Sequence, residues 1–301
     1  MTARPAPIVR LSVVESTQTT AFGLAAQGAP DRTVVVADHQ SAGRGRRGRS
    51  WNDAPGTSLL ASILVRPRIA PALLATFSIA TAVAVAEALR RTTGIEARLK
   101  WPNDVLARGR KLAGILVESR ILTTTGTSVS EPPRTLGRPS TVDAGLAAPA
   151  PTGATGVGGT EPRRAHGTPP TLGTDLAAPV TMVIGVGVNL AQRAFPAELA
   201  DRATSVAIET GRVPDRDSVL EAVLEEFDAW RSRLESQGFG QVRERWLALS
   251  ESIGRRVRVE AVNGLAVGLD IDGALLVDDG RGVQRIVAGE IAPEGEHAAR
   301  R

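Results

Sequence analysis

Apolar residues in the chain follow two different periods. Short runs rich in β-branched residues predict strands at Ile8–Val14, Thr33–Ala37, Thr57–Val65, Ile95–Trp101, Val105–Ala107, Lys111–Glu118 and Thr181–Leu190. Gly109 marks a tight turn between two of these strands. Most of these strands are short and buried, and helical segments separate several of them.

Apolar residues at helical spacing predict four helices. They cover Ser16–Gln27, Pro71 to Gly94, Ser218 to Leu234, and Val242–Leu249. Pro71 suits the first position of its helix, and Gly94 suits its end. Ser218 and Glu221 have the spacing of a capping box, which predicts that the third helix begins at Ser218.

The pattern changes near Arg255 to short strands in which apolar and polar residues alternate. Turn signals at Asn263-Gly264, Asp272-Gly273 and Asp279-Gly280 separate these strands. We therefore predict a small β-barrel over residues 253–293, after a larger domain of residues 1–252 and before a polar tail of residues 294–301.

Residues 123–178 fit neither pattern, because they are dense in Thr, Pro, Gly, Ala and Ser. The segment repeats itself, since Thr135-Leu136-Gly137 returns as Thr171-Leu172-Gly173. Such a composition buries too little apolar surface to offset chain entropy. We predict a disordered insertion in which His166 has no catalytic role.

Composition narrows the class of protein. The 301 residues include no Cys, which excludes disulfide and Cys-zinc frameworks. The start of the chain shows no secretory signal, and Leu73–Leu89 is too interrupted by polar residues to span a membrane. We expect a cytoplasmic protein. The net charge of +4 fits phosphate-bearing or acidic partners, but a genome that favours Arg codons explains it equally well.

The strongest local signal is Gly43–Arg49, which holds four arginines and which we call the Gly/Arg loop. Glycines let a backbone approach a ligand, and arginines supply forked donors for phosphate. The run has three interpretations: a solvated charge run, a nucleic-acid-binding arm, or a catalytic loop that closes on a ligand. Its position between two predicted strands favours the third.

Two further groups of residues could take part in binding or catalysis. In Lys100–Asp104, Asn103 and Asp104 suit either a nucleotide or simple turn capping, and the following strand opens with Lys111. Lys111 could neutralise an anion or face solvent. Alternating glycines in Gly185–Asn189 indicate close approach by a ligand or another backbone.

These motifs, in this order, resemble those of biotin–protein ligases. The resemblance spans Ser16 to Asn189 and implies an α+β fold. It comprises a mixed sheet packed with helices, of the class II synthetase type, followed by a small SH3-like β-barrel. It also implies a reaction in which ATP and biotin give biotinyl-adenylate, from which biotin passes to a lysine of a carrier. The substrates would be biotin and ATP, with Mg²⁺.

The resemblance also assigns roles to residues. Lys111 and Arg46 are expected to be catalytic. Biotin is expected to contact Ser16, Thr17, Gln18, Gln40, Arg44, Gly45, Arg46, Lys111 and Gly114. Gln18 stands where the family usually has Asn. The nucleotide is expected to contact Arg49, Trp51, Lys100, Asn103 and Asn189. No residue is assigned to the metal ion.

The implied partner is the biotin carboxyl carrier protein or domain of a biotin-dependent carboxylase. Because the catalytic motifs begin near Ser16, we expect no helix-turn-helix domain and no sequence-specific DNA binding. The protein is expected to be a monomer or a weak dimer. The alternatives are a lipoate or other acyl–protein ligase on the same fold, and a nucleic-acid-binding module that uses the Gly/Arg loop.

Overall fold

A seven-stranded mixed sheet organises the larger part of the structure. The structure is a computed structural model that describes residues 7–121 and 180–293. The strands are β1 (Ile8–Val14), β2 (Val34–Gln40), β3 (Ser58–Val65), β4 (Arg98–Lys100), β5 (Asp104–Ala107), β6 (Arg110–Ile121) and β7 (Val180–Asn189). Their order is β1-β2-β3-β7-β6-β5-β4, in which β1 and β2 are parallel and the other neighbours antiparallel.

Five helices accompany the sheet within the described residues. They are α1 (Thr17–Ala26), α2 (Thr76–Thr93), α3 (Val206–Thr210), α4 (Arg216–Gln237) and α5 (Gly240–Leu249). One face of the sheet packs against α2, α4 and α5 in a core that includes Phe77 and Trp246. The opposite face packs against α1 through a smaller cluster that includes Phe22, Val35 and Val183. The residues of this smaller cluster cover only part of the sheet face that packs against α1.

Two predicted helix starts are wrong. Pro71–Leu73 forms a separate 3₁₀ turn, and α2 begins only at Thr76. The fixed φ of proline suits the first residue of either kind of helix, so Pro71 did not distinguish them. Helix α4 is capped by Asp215, whose carboxylate accepts from the Ser218 backbone N at 2.8 Å. Asp caps as well as Ser does and also favours the positive helix end.

The C-terminal residues form a five-stranded antiparallel sheet, in agreement with the predicted small all-β unit. Its strands are β8 (Arg256–Val259), β9 (Val262–Leu269), β10 (Leu275–Asp278), β11 (Val283–Ile286) and β12 (Ile291–Pro293), in the order β11-β10-β9-β8-β12. The predicted turns at Asp272-Gly273 and Asp279-Gly280 are confirmed, with left-handed φ at Gly273 and Gly280.

The turn predicted at Asn263-Gly264 is wrong, because both residues lie inside β9. The chain reverses three residues earlier, at Glu260, whose φ is 53°. Gly264 is needed for close packing, since a Cβ there would lie 2.2 Å from the Asp278 backbone O.

Several predictions fall outside the described part of the chain. The insertion at residues 123–178, with His166, and the tail at residues 294–301 lie outside the described residues. Within the described ranges, we find no helix with the length and apolar character needed to cross a membrane.

Candidate active site

Three glycines form a shallow floor on the face of the sheet that α1 leaves open. Val183 points toward α1, so Gly185 and Gly187 lie on the same face two and four residues further along β7. Gly114 of β6 pairs with Gly187. A Cβ on Gly187 would lie 2.7 Å from the Trp51 ring. The missing side chains open a cavity of about 120 Å³.

One wall of this cavity is a network of uncharged polar groups at the start of α1. Gln40 Oε1 accepts from the Thr17 backbone N at 2.8 Å and from Thr17 Oγ1 at 3.0 Å. Thr17 Oγ1 also lies 2.8 Å from Ser62 Oγ. Ser16 and Thr17 are buried, so this corner presents fixed hydrogen-bonding groups without a formal charge.

Gln18 joins this wall to the sheet. Its Nε2 donates to the backbone O of Leu116 at 3.1 Å and of Val183 at 3.3 Å. A Cβ on Gly185 would lie 3.2 Å from Gln18 Cδ. The Gln18 amide nitrogen is thus committed to holding α1 on β6 and β7, and its side chain shapes the cavity wall.

The Gly/Arg loop closes on itself over the cavity. Trp51 N donates to Gly43 O at 2.9 Å, and Gly45 N donates to Arg49 O at 2.7 Å. A Cβ on Gly43 would lie 2.4 Å from Trp51 O, so the loop can be this narrow only with glycine there. The loop therefore presents its arginines and the Trp51 indole at fixed places.

The arginines of the loop have different partners. Arg46 Nη1 donates to Asn103 Oδ1 at 3.0 Å, and Arg44 Nη2 donates to Glu118 Oε2 at 2.9 Å. Burial lowers the pKa of the Arg46 guanidinium, and the nearby Asp104 carboxylate opposes this by favouring the charged form. Arg47 contacts Glu260, and Arg49 contacts Glu290.

Lys111 provides a second cation at the same end of the cavity. Its Nζ lies 2.6 Å from Asp104 Oδ1 and 6.0 Å from the centre of the Trp51 ring. Asn103 fixes the turn beside it, because Nδ2 donates to Ile115 O at 2.7 Å. Lys111 lines the cavity, and 36% of its side chain remains exposed to solvent.

The structure brings most of the predicted site residues to one cavity. The predicted residues that line it are Ser16, Thr17, Gln18, Gln40, Arg44, Gly45, Arg46, Arg49, Trp51, Asn103, Lys111 and Gly114. Lys100 lies outside the lining, in β4, where it pairs with Asp104 across the hairpin. Asn189 also lies outside the lining, and its Nδ2 donates to Thr204 O at 3.0 Å.

Several residues that the sequence did not assign to a ligand also line the cavity, among them Arg47, Gly289 and Glu290. Glu290 immediately precedes β12 and lies 241 residues from its partner Arg49. Local patterns carry no information on such a contact.

The cavity suits a ligand that carries both an uncharged polar group and an anion. Thr17 and Gln40 offer uncharged hydrogen-bonding groups in its lining. Arg46 and Lys111 also line it and offer positive charge, and both lie near Asp104. Two neighbouring cations can hold two anions close together.

Comparison with known proteins agrees with this site. Residues 11–130 match the model of the Biotin/lipoate A/B protein ligase family, and residues 252–292 match the Biotin protein ligase C terminal domain. The chain is 32% identical to a biotin–[acetyl-CoA-carboxylase] ligase of Paracoccus denitrificans, over 93% of this chain and 98% of the relative. It is 30% identical to the ligase of the same name from Mycobacterium tuberculosis, over 94% and 88%.

The fold is also found among solved structures. A biotin protein ligase from Aquifex aeolicus, in complex with biotin and ATP, superposes with a TM-score of 0.69 at 26% identity. The match covers 95% of this chain and 97% of that one. The fold and the site together define an acyl–protein ligase, an enzyme that attaches an acyl group to a protein. Within that class, the chain belongs to the biotin protein ligases of the Biotin/lipoate A/B protein ligase family.

Proposed function

We propose that this protein activates biotin with ATP to biotinyl-5′-adenylate and then transfers biotin to a lysine of a carrier. The observation that carries the proposal is the make-up of the cavity lining, which combines uncharged hydrogen-bonding groups at Thr17 and Gln40 with the cations Arg46 and Lys111. Biotin has a neutral ureido head and a carboxylate tail. The relatives named above and the Aquifex aeolicus ligase in complex with biotin and ATP support the same substrates.

In the proposed complex, biotin lies along the glycine floor. Its ureido head would contact the polar corner and its carboxylate the cations. The proposed biotin-binding residues are Ser16, Thr17, Gln18, Gln40, Arg44, Gly45, Arg46, Lys111 and Gly114. Gln18 would act mainly as a wall, because the sheet backbone already uses its amide nitrogen.

The nucleotide would lie beside the carboxylate of biotin, under the Gly/Arg loop. Arg49, Trp51 and Asn103 line the cavity and form the proposed nucleotide side. Lys100 and Asn189 do not line it, so we propose no direct contact for either. Mg²⁺ is usually bound by substrate phosphates together with only one or two protein carboxylates. We therefore propose that Mg²⁺ enters the site already bound to the triphosphate of ATP.

Two anions must meet in the first step. The biotin carboxylate attacks the α-phosphorus of ATP, the bond to the β-phosphate oxygen breaks, and pyrophosphate leaves. Lys111 and Arg46 would hold the carboxylate and the phosphate together against their repulsion. The closed Gly/Arg loop would keep water from the resulting mixed anhydride.

In the second step, the neutral ε-amine of a carrier lysine attacks the acyl carbon. An amide forms, AMP leaves with the electron pair of the acyl–oxygen bond, and the amine loses a proton. By their names, these relatives act on acetyl-CoA carboxylase. We propose a biotin carboxyl carrier protein or domain of such a carboxylase as the partner here.

One assay tests the proposal. Purified protein is incubated with a carrier domain, Mg²⁺ and labelled biotin, with and without ATP, and the labelled carrier is measured. We expect ATP-dependent labelling, and none when labelled lipoate replaces biotin. Labelling by lipoate alone would identify the other branch of the family, and no transfer of either acid would refute an acyl ligase.

A further inference from the structure

Two glutamates beside the C-terminal strands, one in the turn after β8 and one just before β12, hold arginines of the Gly/Arg loop. Arg49 donates from Nη1 and Nη2 to the two carboxylate oxygens of Glu290, with Nη1 2.9 Å from Oε1. Arg47 donates to Glu260. Both arginines line the cavity, but of the two glutamates only Glu290 does so. The two ion pairs are therefore chemically similar and differently placed, which makes Glu260 a natural control for Glu290.

The backbone fixes Glu290 at this place. It immediately precedes β12, and a Cβ on the neighbouring Gly289 would lie 2.4 Å from Val259 Cγ1. Val259 is fully buried in the C-terminal sheet. Gly289 packs directly on this side chain and also lines the cavity, so the backbone is anchored where it borders the cavity. Glu290 follows at the edge of the sheet, just before β12.

The contact leaves part of the Arg49 guanidinium available. A guanidinium has five N–H groups in a fork, and the contact with Glu290 approaches it end-on through the two terminal nitrogens. The edge that carries the Nε–H remains for a second anion. Arg49 is 60% exposed, so without Glu290 this long side chain would sample many rotamers.

We propose that Glu290 is a positioning residue for the nucleotide half of the site, an inference that rests on the proposed function. Glu290 holds Arg49 in a single orientation over the cavity, so the guanidinium meets the phosphates of ATP without first losing rotamer freedom. Glu290 touches no reacting atom and acts only through Arg49. Arg49 and Glu290 together carry no net charge, so the pair contributes to nucleotide binding through the oriented N–H groups of Arg49 and not through net attraction.

The test compares Glu290→Gln with the matched control Glu260→Gln, along with Arg49→Ala and the double variant. Initial rates of biotin-dependent pyrophosphate release give KM for ATP and for biotin separately. Titration calorimetry with a non-hydrolysable ATP analogue gives nucleotide affinity without turnover. Thermal midpoints show whether each variant is folded.

For Glu290→Gln we expect KM for ATP and the Kd of the analogue to rise about three- to fivefold, the size expected for a partly exposed ion pair. The KM for biotin and kcat should stay within about twofold, since uniform loss of nucleotide binding leaves kcat unchanged. Glu260→Gln should match the wild type. In the Arg49→Ala background, Glu290→Gln should have no further effect.

Three results would overturn the inference. A fall in KM for ATP would show that Glu290 competes with the triphosphate, and additive effects with Arg49→Ala would show that it does not act through Arg49. Equal effects of both glutamate variants would show a general loss of loop stability. If the wild type releases no pyrophosphate, the proposed function fails, and the calorimetric comparison still decides whether Glu290 supports nucleotide binding.

Discussion

At the scale of single residues, the cationic end of the cavity combines two different environments. Arg46 is partly buried and hydrogen-bonded to Asn103, and Lys111 is ion-paired with Asp104. A lysine in contact with a carboxylate is held in position but can turn to a new anion, since its ammonium group is a point charge with three rotatable donors. Lys111 is therefore the side chain best placed to contact the negative charge that develops during adenylation.

Lys111→Ala is expected to lower biotin-dependent pyrophosphate release by about 100-fold or more, because a cation aimed at developing charge contributes on that scale. Steady-state rates with saturating biotin and ATP measure the loss. Arg110→Ala is the matched control, since Arg110 lies next to Lys111 in β6 but pairs with Glu209 outside the cavity lining. Equal losses in the two variants would argue against a specific role for Lys111.

Gly187→Ala tests the glycine floor. The new methyl would lie 2.7 Å from Trp51 Cζ2 and would push the indole off the floor. We expect KM for ATP to rise about tenfold, less than the roughly 100-fold loss in rate that a 1 Å misplacement of reacting groups can cause, because Trp51 is proposed only to contact the nucleotide. In Gly268→Ala the nearest atom is Leu276 Cδ1 at 4.0 Å, so this variant should behave as the wild type. An unchanged KM in Gly187→Ala would mean that Trp51 is free to move.

Several residues that a motif singled out lie together in the structure. Thr17, Gln40, Arg46 and Lys111, which the family resemblance assigned to ligand binding, all line one cavity. The resemblance also named Asn189, whose side chain instead joins the network around Thr204. A motif indicates that a residue matters at its position, and only packing shows whether its side chain reaches the ligand space or supports the strand ends.

At the scale of elements, the strands were easier to predict than the helix starts. Strand runs such as Thr57–Val65 are bounded by turns and lie within a residue of β3. The first residue of a helix depends on which of several nearby residues acts as the N-cap. Asp215 lies three residues before Ser218 and outcompetes it, because its carboxylate accepts from both the hydroxyl and the backbone N of Ser218.

The cap of α4 makes stability depend on pH in a defined direction. Hydrogen bonds from the Ser218 hydroxyl, and then from its backbone N–H, lower the pKa of Asp215. Its stabilising effect is therefore complete above the unfolded pKa, about 4, and is lost as the pH falls through the lower native pKa.

Asp215→Ala should accordingly lower the thermal midpoint at pH 7, and the difference from the wild type should shrink on acidification below about pH 4. Thermal unfolding over a pH series measures this. Asp215→Asn keeps an acceptor but cannot titrate, so its difference from the wild type should reflect only the lost charge. A difference between wild type and Asp215→Ala that is the same at every pH would contradict the assignment of the cap.

At the scale of the whole molecule, strands β6 and β7 pair in register from Ile121 with Val180 to Ala113 with Val188. The chain therefore leaves and re-enters the sheet at two adjacent residues. Deletion of residues 123–178 is predicted to leave folding and biotin transfer nearly intact. Carrier labelling and the thermal midpoint of the deletion variant test this, with the full chain as reference. Loss of either property would show that the segment is structural.

The contribution of the C-terminal sheet could not be predicted from local sequence. Its strands and two of its three turns followed from alternation and turn residues. Two contacts tie this unit to the larger sheet: Glu290 pairs with Arg49, and Trp101 Nε1 donates to Gly273 O at 3.0 Å. Contacts of this kind join residues that no periodicity relates, so they emerge only from the assembled structure.

The pairing of β6 with β7 divides the active site between two stretches of sequence. Gln40, Trp51 and Lys111 lie before the seam, and Gly187 and Glu290 lie after it. Two separate polypeptides, one ending near Ile121 and the other starting near Val180, would each carry half of the site and a complementary strand edge. Neither half could activate biotin alone, so biotinylation of a carrier would report that the halves had met.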